Sequence, residues 1–316
     1  MTRVAVTSRS FSRHPVLKRE LLERFPGATL NDDGLKLTGD DLLAFLKGHD
    51  KAITALEVLD AELFSALPEL KAFSKYGVGF DTIDLDAMAK AGVKLGWTGG
   101  TNKRSVSELV ISFAVQLLRR IPEATAEVQS GTWRQHIGRQ LSNRTVGIVG
   151  CGHVGKDLGI LLRAFGCKVL AHDILDFPKY YTEHDIQPVG LEQLLKESDI
   201  VTLHLPLDET TLNFLSAERL ALMKPDAVLI NAARGGLVDE AALKAALKEG
   251  RLGAAALDAF ATEPPEDREL LQMPNVIVTP HLGGSAEEAV LAMGRAAIDG
   301  LDENRVPEKG VFPKGY

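Results

Sequence analysis

The chain has 316 residues, 45% hydrophobic and 25% charged, with 36 Lys+Arg against 43 Asp+Glu and a net charge of −7. At about 150 residues per domain this is enough apolar material for two packed domains, so neither disorder nor a disulfide scaffold is expected. The acidic balance argues against nucleic-acid backbone binding, and Cys151 and Cys167 are too few for a disulfide framework or a Cys-rich zinc site. No stretch reads as a secretory signal or a membrane span, so a cytoplasmic protein with no membrane partner is expected.

In chain order, residues 4–7 read as a strand and 15–25 as a helix with Leu17, Leu21, Leu22 and Phe25 on one face. A helix over 41–47, a strand over 52–56 and a helix over 61–67 follow. A strand over 70–74 runs into the turn Tyr76-Gly77-Val78-Gly79, followed by a helix over 85–91 and a strand over 93–97. This alternation predicts a small α/β unit with a parallel sheet. The turn-rich Thr98-Gly99-Gly100-Thr101-Asn102 marks a crossover into a second domain.

A long helix over 105–119 comes next, with Val106, Leu109, Val110, Phe113, Leu117 and Leu118 on one face. Pro122 is expected to end or kink it, and a second helix runs to about Gly131. Neither carries obvious chemistry, and the pair is expected to join and brace the two domains.

From Arg144 six β-rich runs appear, at 145–149, 168–172, 200–203, 228–231, 253–258 and 276–279. Helices over 155–165, 191–197, 217–222 and 240–249 separate them, which predicts a doubly wound parallel sheet. Residues 286–301 read as a helix that crosses back to the first domain, and 306–316 as an irregular tail.

Many of the 29 glycines lie at the ends of apolar runs. Gly150-Cys151-Gly152-His153-Val154-Gly155 is a GxGxxG pattern between a strand and a helix. The first glycine permits the tight turn, the second lets the backbone approach a pyrophosphate, and the third allows close helix–strand packing. The helix N-terminus favours the phosphates. Asp173 ends the next strand eighteen residues after Gly155, where an acid accepts ribose hydroxyls and repels a 2′-phosphate. NAD is therefore the expected cofactor. A structural turn beside a surface Asp and a Rossmann-like methyltransferase are the alternatives.

Ligands of open parallel sheets sit at the carboxyl ends of the strands. There the sequence places His204-Leu205-Pro206, Ala232-Ala233-Arg234-Gly235-Gly236, Asp258 leading to Glu263-Pro264, and Pro280-His281-Leu282-Gly283-Gly284. One Arg, one Glu and one His at the same edge suit oxidation of a 2-hydroxy acid. A histidine, with an unperturbed pKa of about 6.5, can take the hydroxyl proton. A carboxylate beside the ring fixes its tautomer. An arginine binds a carboxylate in a bidentate way that lysine cannot copy. Taken singly, Arg234 also reads as a surface ion-pair residue, Glu263 as the start of a Pro-Pro turn and His281 as a satisfied polar residue. His204 has no apparent acidic partner and is assigned a cofactor-side or packing role. The remaining histidines read as surface or structural residues, and no metal site is expected.

The ordered motifs GIVGCGHVGKDLG, NAARGGLVDEAAL, AALDAFATEPP and TPHLGGS resemble those of the D-isomer-specific 2-hydroxyacid dehydrogenase family. Arg234 to Glu263 is 29 residues and Glu263 to His281 is 18, as that order requires. The resemblance implies a Rossmann NAD domain, 101–285, inserted into a smaller flavodoxin-like substrate domain, 1–100 plus 286–316. It further implies an active site in the cleft and a homodimer. Arg234 would bind substrate, and His281 would be the acid/base paired with Glu263. Gly150, Gly152, His153, Val154, Gly155, Asp173, His204, Pro206, Ala232, Asp258 and Gly283 would line the cofactor, with Asp258 on the nicotinamide amide. Tyr76, Gly77, Val78 and Gly79 match the loop whose backbone N–H groups bind the substrate carboxylate, and Asn102 a substrate-side polar position.

Within the family the chain is most similar to the phosphoglycerate dehydrogenases, where Lys75 would face a substrate phosphate. The residue alone reads equally as a solvent-facing lysine. With its last residue at 316, the sequence is expected to lack the C-terminal regulatory domains of longer members. Hydroxypyruvate, glyoxylate or another 2-hydroxy/2-keto acid remain alternative substrates. An NAD(H)-sensing binding protein like the family's transcriptional corepressor is the non-enzyme alternative.

Overall fold

A short apolar strand followed by an amphipathic helix returns to the same sheet edge as a parallel neighbour, and this chain repeats that unit throughout. The computed structural model describes residues 2–312; residues 313–316, the end of the expected irregular tail, lie outside the described residues. The chain divides into Met1–Asn102 with Ala286–Tyr316, and Lys103–Ser285.

The first unit contains β1 (Val4–Val6), α1 (Arg9–Arg13), α2 (Pro15–Arg24), β2 (Thr29–Leu30), α3 (Gly39–Leu46), β3 (Lys51–Thr54), α4 (Ala61–Ala66), β4 (Ala72–Lys75), α5 (Leu85–Lys90) and β5 (Lys94–Gly96). Its described strands form one parallel sheet in the order β2-β1-β3-β4-β5. The five-residue α1 and two-residue β2 are too short for a periodicity to announce them. The helix at 287–300 packs on α2, β4 and β5 of this unit, so the chain does cross back. Its Ala297 and Ile298 share a core with Val4, Phe11, Leu17 and Leu21.

The second unit begins with α6 (Lys103–Leu118) and α7 (Ile121–Gln129), followed by β6 (Thr145–Val149), α8 (His153–Ala164), β7 (Lys168–His172), α9 (Pro178–Glu183), β8 (Gln187–Pro188) and α10 (Leu191–Glu197). It continues with β9 (Ile200–Leu203), α11 (Ala217–Leu220), β10 (Val228–Asn231), α12 (Glu240–Lys248), β11 (Ala254–Leu257), α13 (Arg268–Leu271) and β12 (Val276–Val278); the helix Glu287–Gly300 is α14. The sheet order β12-β11-β10-β9-β6-β7-β8 is all parallel and reverses at β6, the topological switch point of a doubly wound fold. Separate apolar cores cover its two faces, which is why its strands are near-continuous apolar runs.

Two expectations are corrected. Helix α6 is no mere brace: Val106, Val110, Phe113, Ala114, Leu117 and Leu118 are buried with Ile148, Leu158 and Ile230, making it a layer of the second unit. Pro122 does not end it. Arg120, at φ 54, breaks the path in the left-handed region, and Pro122 sits in the first turn of α7, where a missing N–H costs nothing. Cys151 and Cys167 are buried and free, and burial pushes both thiols up to about 11. No helix among the described residues is long and apolar enough to cross a membrane.

Candidate active site

Between β6 and α8 the chain must turn within a few residues. Gly150 does so at φ +96, and a Cβ there would lie 2.5 Å from the His204 carbonyl oxygen. A Cβ on Gly155 would lie 2.1 Å from the Gly150 carbonyl oxygen, so both positions demand glycine. Around Gly152 there is nothing within 4 Å of a built Cβ, and it caps α8 without a side-chain bond. The positive end of a twelve-residue helix is therefore approachable by backbone-close phosphates. Asp173, just past β7, accepts from Cys151 N at 2.5 Å and Leu175 N at 2.8 Å, tying the acid to the glycine loop.

His204 follows β9. Its Nε2 lies 3.0 Å from Thr202 Oγ1, and burial lowers its pKa to about 3. Its backbone carbonyl oxygen would lie 2.5 Å from a Cβ on Gly150, so His204 packs against the glycine turn. Pro206 is exposed and Ala232 is 9% exposed at neighbouring strand ends.

After β10 the turn is held by Asn231, which the sequence reading passed over. Its Nδ2 donates to Arg234 O at 2.8 Å and its Oδ1 accepts from Ala233 N at 3.2 Å. Arg234 Nη1 donates to Ala233 O at 2.8 Å. A Cβ on Gly235 would lie 1.9 Å from Phe260 O, so this turn presses directly on the chain leaving β11. The only hint in sequence was a polar residue closing an otherwise apolar strand.

Asp258, 1% exposed, accepts from Thr279 Oγ1 at 2.5 Å, Leu282 N at 2.6 Å and Gly283 N at 2.7 Å. It fastens the loop after β12 to the end of β11; Thr279 is a second residue that sequence reasoning missed. On that loop His281 adopts φ 57, a left-handed conformation that is costly for a residue bearing a Cβ. Its Nδ1 lies 3.0 and 3.2 Å from the two Glu263 oxygens, and Glu263 Oε1 also accepts from Phe260 N at 3.1 Å. The pair is about half exposed, at 48% for His281 and 43% for Glu263. A carboxylate on Nδ1 selects the tautomer with its proton there and the lone pair on Nε2. Beside them is a cavity of about 410 Å³, walled by Phe260, Pro264, Leu271 and Val278.

In the first unit, residues 76–79 follow the end of β4. Gly77 stands at φ +126, and Trp97 Nε1 donates to Val78 O at 2.9 Å. Tyr76 N donates to Thr54 O at 2.8 Å, and the ring packs edge-on to Phe11. Lys75 is 6% exposed and donates to Ala55 O, so it is not the solvent-facing lysine its residue type permits. Asn102 closes the unit with Oδ1 buried and without a hydrogen-bond partner.

Elsewhere, Glu123, Glu127 and His136 bring three ligand-type atoms together. Arg120 and Arg134 already pair with both carboxylates, and His136 Nε2 lies 2.6 Å from Glu127, which makes this an ion-pair cluster.

Comparison with known proteins places the chain. A family model described as D-isomer specific 2-hydroxyacid dehydrogenase, NAD binding domain, matches residues 111–283. The chain is 37% identical over 276 residues to D-3-phosphoglycerate dehydrogenase of Mycobacterium tuberculosis, covering 86% of this chain and 52% of that protein; it spans about half that relative's length. It is 35% identical over 292 residues to glyoxylate reductase of Thermococcus litoralis, covering 89% and 88%. Among solved structures, D-lactate dehydrogenase with NAD+ from Lactobacillus jensenii aligns with a TM-score of 0.78 at 30% identity, covering 94% of this chain and 95% of that one. The chain belongs to the D-isomer-specific 2-hydroxyacid dehydrogenase family.

Proposed function

We propose that the protein is an NAD-dependent dehydrogenase interconverting a small D-2-hydroxy acid and its 2-keto acid. The observation that carries this reading is the Glu263–His281 pair beside a cavity at the carboxyl edge of a dinucleotide-type sheet. The cofactor is supported by the glycine geometry at 150 and 155, the open backbone at Gly152 and the acid Asp173. NAD, when bound, supplies the hydride chemistry.

The chain's own residues supply the rest. His281 Nε2 takes the hydroxyl proton during oxidation and returns it during reduction, while Glu263 holds the ring and steadies its charged form. Arg234 binds the carboxylate and polarises the reacting oxygen. The backbone N–H groups of 77–79 anchor the carboxylate, and the unpartnered Asn102 Oδ1 is an acceptor suited to a substrate-side role. Asp258 has three hydrogen bonds within the chain, which leaves one acceptor position for the nicotinamide amide.

A phosphate-bearing, 3-phosphoglycerate-like acid is supported by the name of the mycobacterial relative and by the cation Lys75. Hydroxypyruvate, glyoxylate or another hydroxy acid is supported by the burial of that cation. A cytoplasmic homodimer is supported by two buried free thiols and by the apolar stretch Ile121, Val128, Trp133 and Ile137, which are 41%, 50%, 86% and 96% exposed and which a second copy would cover.

The test is NADH oxidation with a panel of 2-keto acids, with and without phosphate groups. Turnover of at least one acid supports the dehydrogenase. No turnover alongside tight NADH binding would point instead to an NAD(H)-sensing binding protein.

A further inference from the structure

We infer that Ser105 is a positioning residue for the turn that carries His281, a deepening that rests on the dehydrogenase reading above. His281 stands at φ 57, and a residue bearing a Cβ stays in that region only where its surroundings hold it there. Released by its neighbours, such a turn gains by relaxing toward an ordinary backbone, and the ring moves with it. Asp258 takes the N–H groups of Leu282 and Gly283. The carbonyl oxygen of Gly283 accepts from Ser105 Oγ at 2.7 Å, from a residue 178 positions earlier in the chain. Ser105 lies in the first turn of α6.

Gly283 is thus gripped from two sides, its N–H by the end of β11 and its carbonyl by α6. A Cβ on Gly283 would lie 3.2 Å from Asp258 Oδ2 and 3.4 Å from Val106 Cγ2, so the backbone has little room to slide between them. The two grips differ in what they fix. The Asp258 carboxylate sets how far the turn stands from the strand end. The Ser105 hydroxyl keeps the turn from pivoting about that anchor. Leu282 alone separates Gly283 from His281, so a pivot there is passed directly to the ring.

A support must itself be fixed, and the first turn of α6 is. Arg104 Nε and Nη2 each donate to an Asp157 oxygen at 2.9 Å, a bidentate pair onto a buried carboxylate of α8. Val106 and Val110 are buried in the core of the same unit. Ser107 Oγ donates to Lys103 O at 2.9 Å, back into its own helix, which is the common habit of a helical serine. Ser105 instead reaches across to the turn after β12. The hydroxyl that meets Gly283 is therefore presented from a helix that cannot follow the turn if it shifts.

The test is steady-state reduction, with NADH, of the 2-keto acid that the unsubstituted protein turns over best. It compares that protein with Ser105→Ala, Ser105→Thr and Val110→Ala, each beside a thermal melt. Ser105→Ala should lower kcat about tenfold to a hundredfold, the scale of a small misplacement of a catalytic group, with KM for the acid and for NADH changing far less. Ser105→Thr keeps a hydroxyl and should recover most of that loss. Val110→Ala truncates a buried side chain further along α6 and should lower Tm while kcat stays within about twofold. A kcat for Ser105→Ala within about twofold of the unsubstituted protein, no recovery in Ser105→Thr, or an equal kcat loss in Val110→Ala overturns the inference while the dehydrogenase stands. Failure of the unsubstituted protein to reduce any acid overturns the dehydrogenase reading, and the inference with it.

Discussion

At the end of β4, Lys75 is buried and its amine turns back onto the Ala55 carbonyl, so that edge presents backbone N–H groups and the side chains of Leu56 and Val58. At the end of β12, His281 stands half exposed in a left-handed turn, its ring steered by Glu263. The two sheet ends therefore differ in what they offer: buried charge with backbone groups at one, an exposed ring nitrogen at the other. Holding a carboxylate needs only fixed dipoles and a nearby charge, which can sit beneath the surface. Moving a proton requires a ring nitrogen that reaches the reactant. His204 at the end of β9 is only partly exposed, and desolvation holds its pKa well below the ordinary histidine value.

The division can be broken most directly at His281. His281→Ala should lower kcat by ~10²–10⁴ with the fold intact, measured by steady-state kinetics beside a thermal melt; unchanged turnover would remove it from proton transfer. Glu263→Gln keeps a carbonyl acceptor but loses the charge that steadies the imidazolium, and a kcat loss of about tenfold to a hundredfold is expected. Lys75→Met tests the opposite end. If the buried cation only supports the carboxylate anchor, KM should rise about tenfold with a much smaller change in kcat; a kcat loss matching that of His281→Ala would erase the distinction.

The smallest effect is expected at His204. The unfolded chain binds a proton near pH 6.5 that the folded chain refuses until about 3, so this residue's contribution is full above pH 6.5 and falls as pH drops below it. The slope is at most about 1.4 kcal/mol per pH unit. Urea unfolding at pH 7 and pH 5 should show a shallower acid loss for His204→Gln than for the unsubstituted protein.

Much of this architecture was readable because the second unit's inner strands are buried on both faces. The runs at 145–149, 168–172, 200–203 and 228–231 coincide with β6, β7, β9 and β10. The glycine loop was readable for a related reason, since Gly150 and Gly155 occupy places no Cβ can enter. The short elements α1, β2, β8, α9 and α13 carry too few residues for a period to emerge. The apolar stripe of α6 was visible, but a stripe does not name its partner, and α6 proved to be a core layer. The direction taken by Lys75 and the partial burial of His204 depend on neighbours distant in sequence, as do the roles of Asn231 and Thr279. Those roles exist only once strand ends are brought side by side.

Asp258 gives the β11–β12 edge a further property. By bonding Thr279, Leu282 and Gly283 from the adjacent strand end, it makes the shape of the 279–283 turn a property of the sheet and not of whatever binds there. The Leu282 and Gly283 amides are thereby already hydrogen-bonded within the chain, and slow hydrogen exchange at both is expected. A ligand at this turn would then cost little chain entropy, because the backbone of His281 is already fixed.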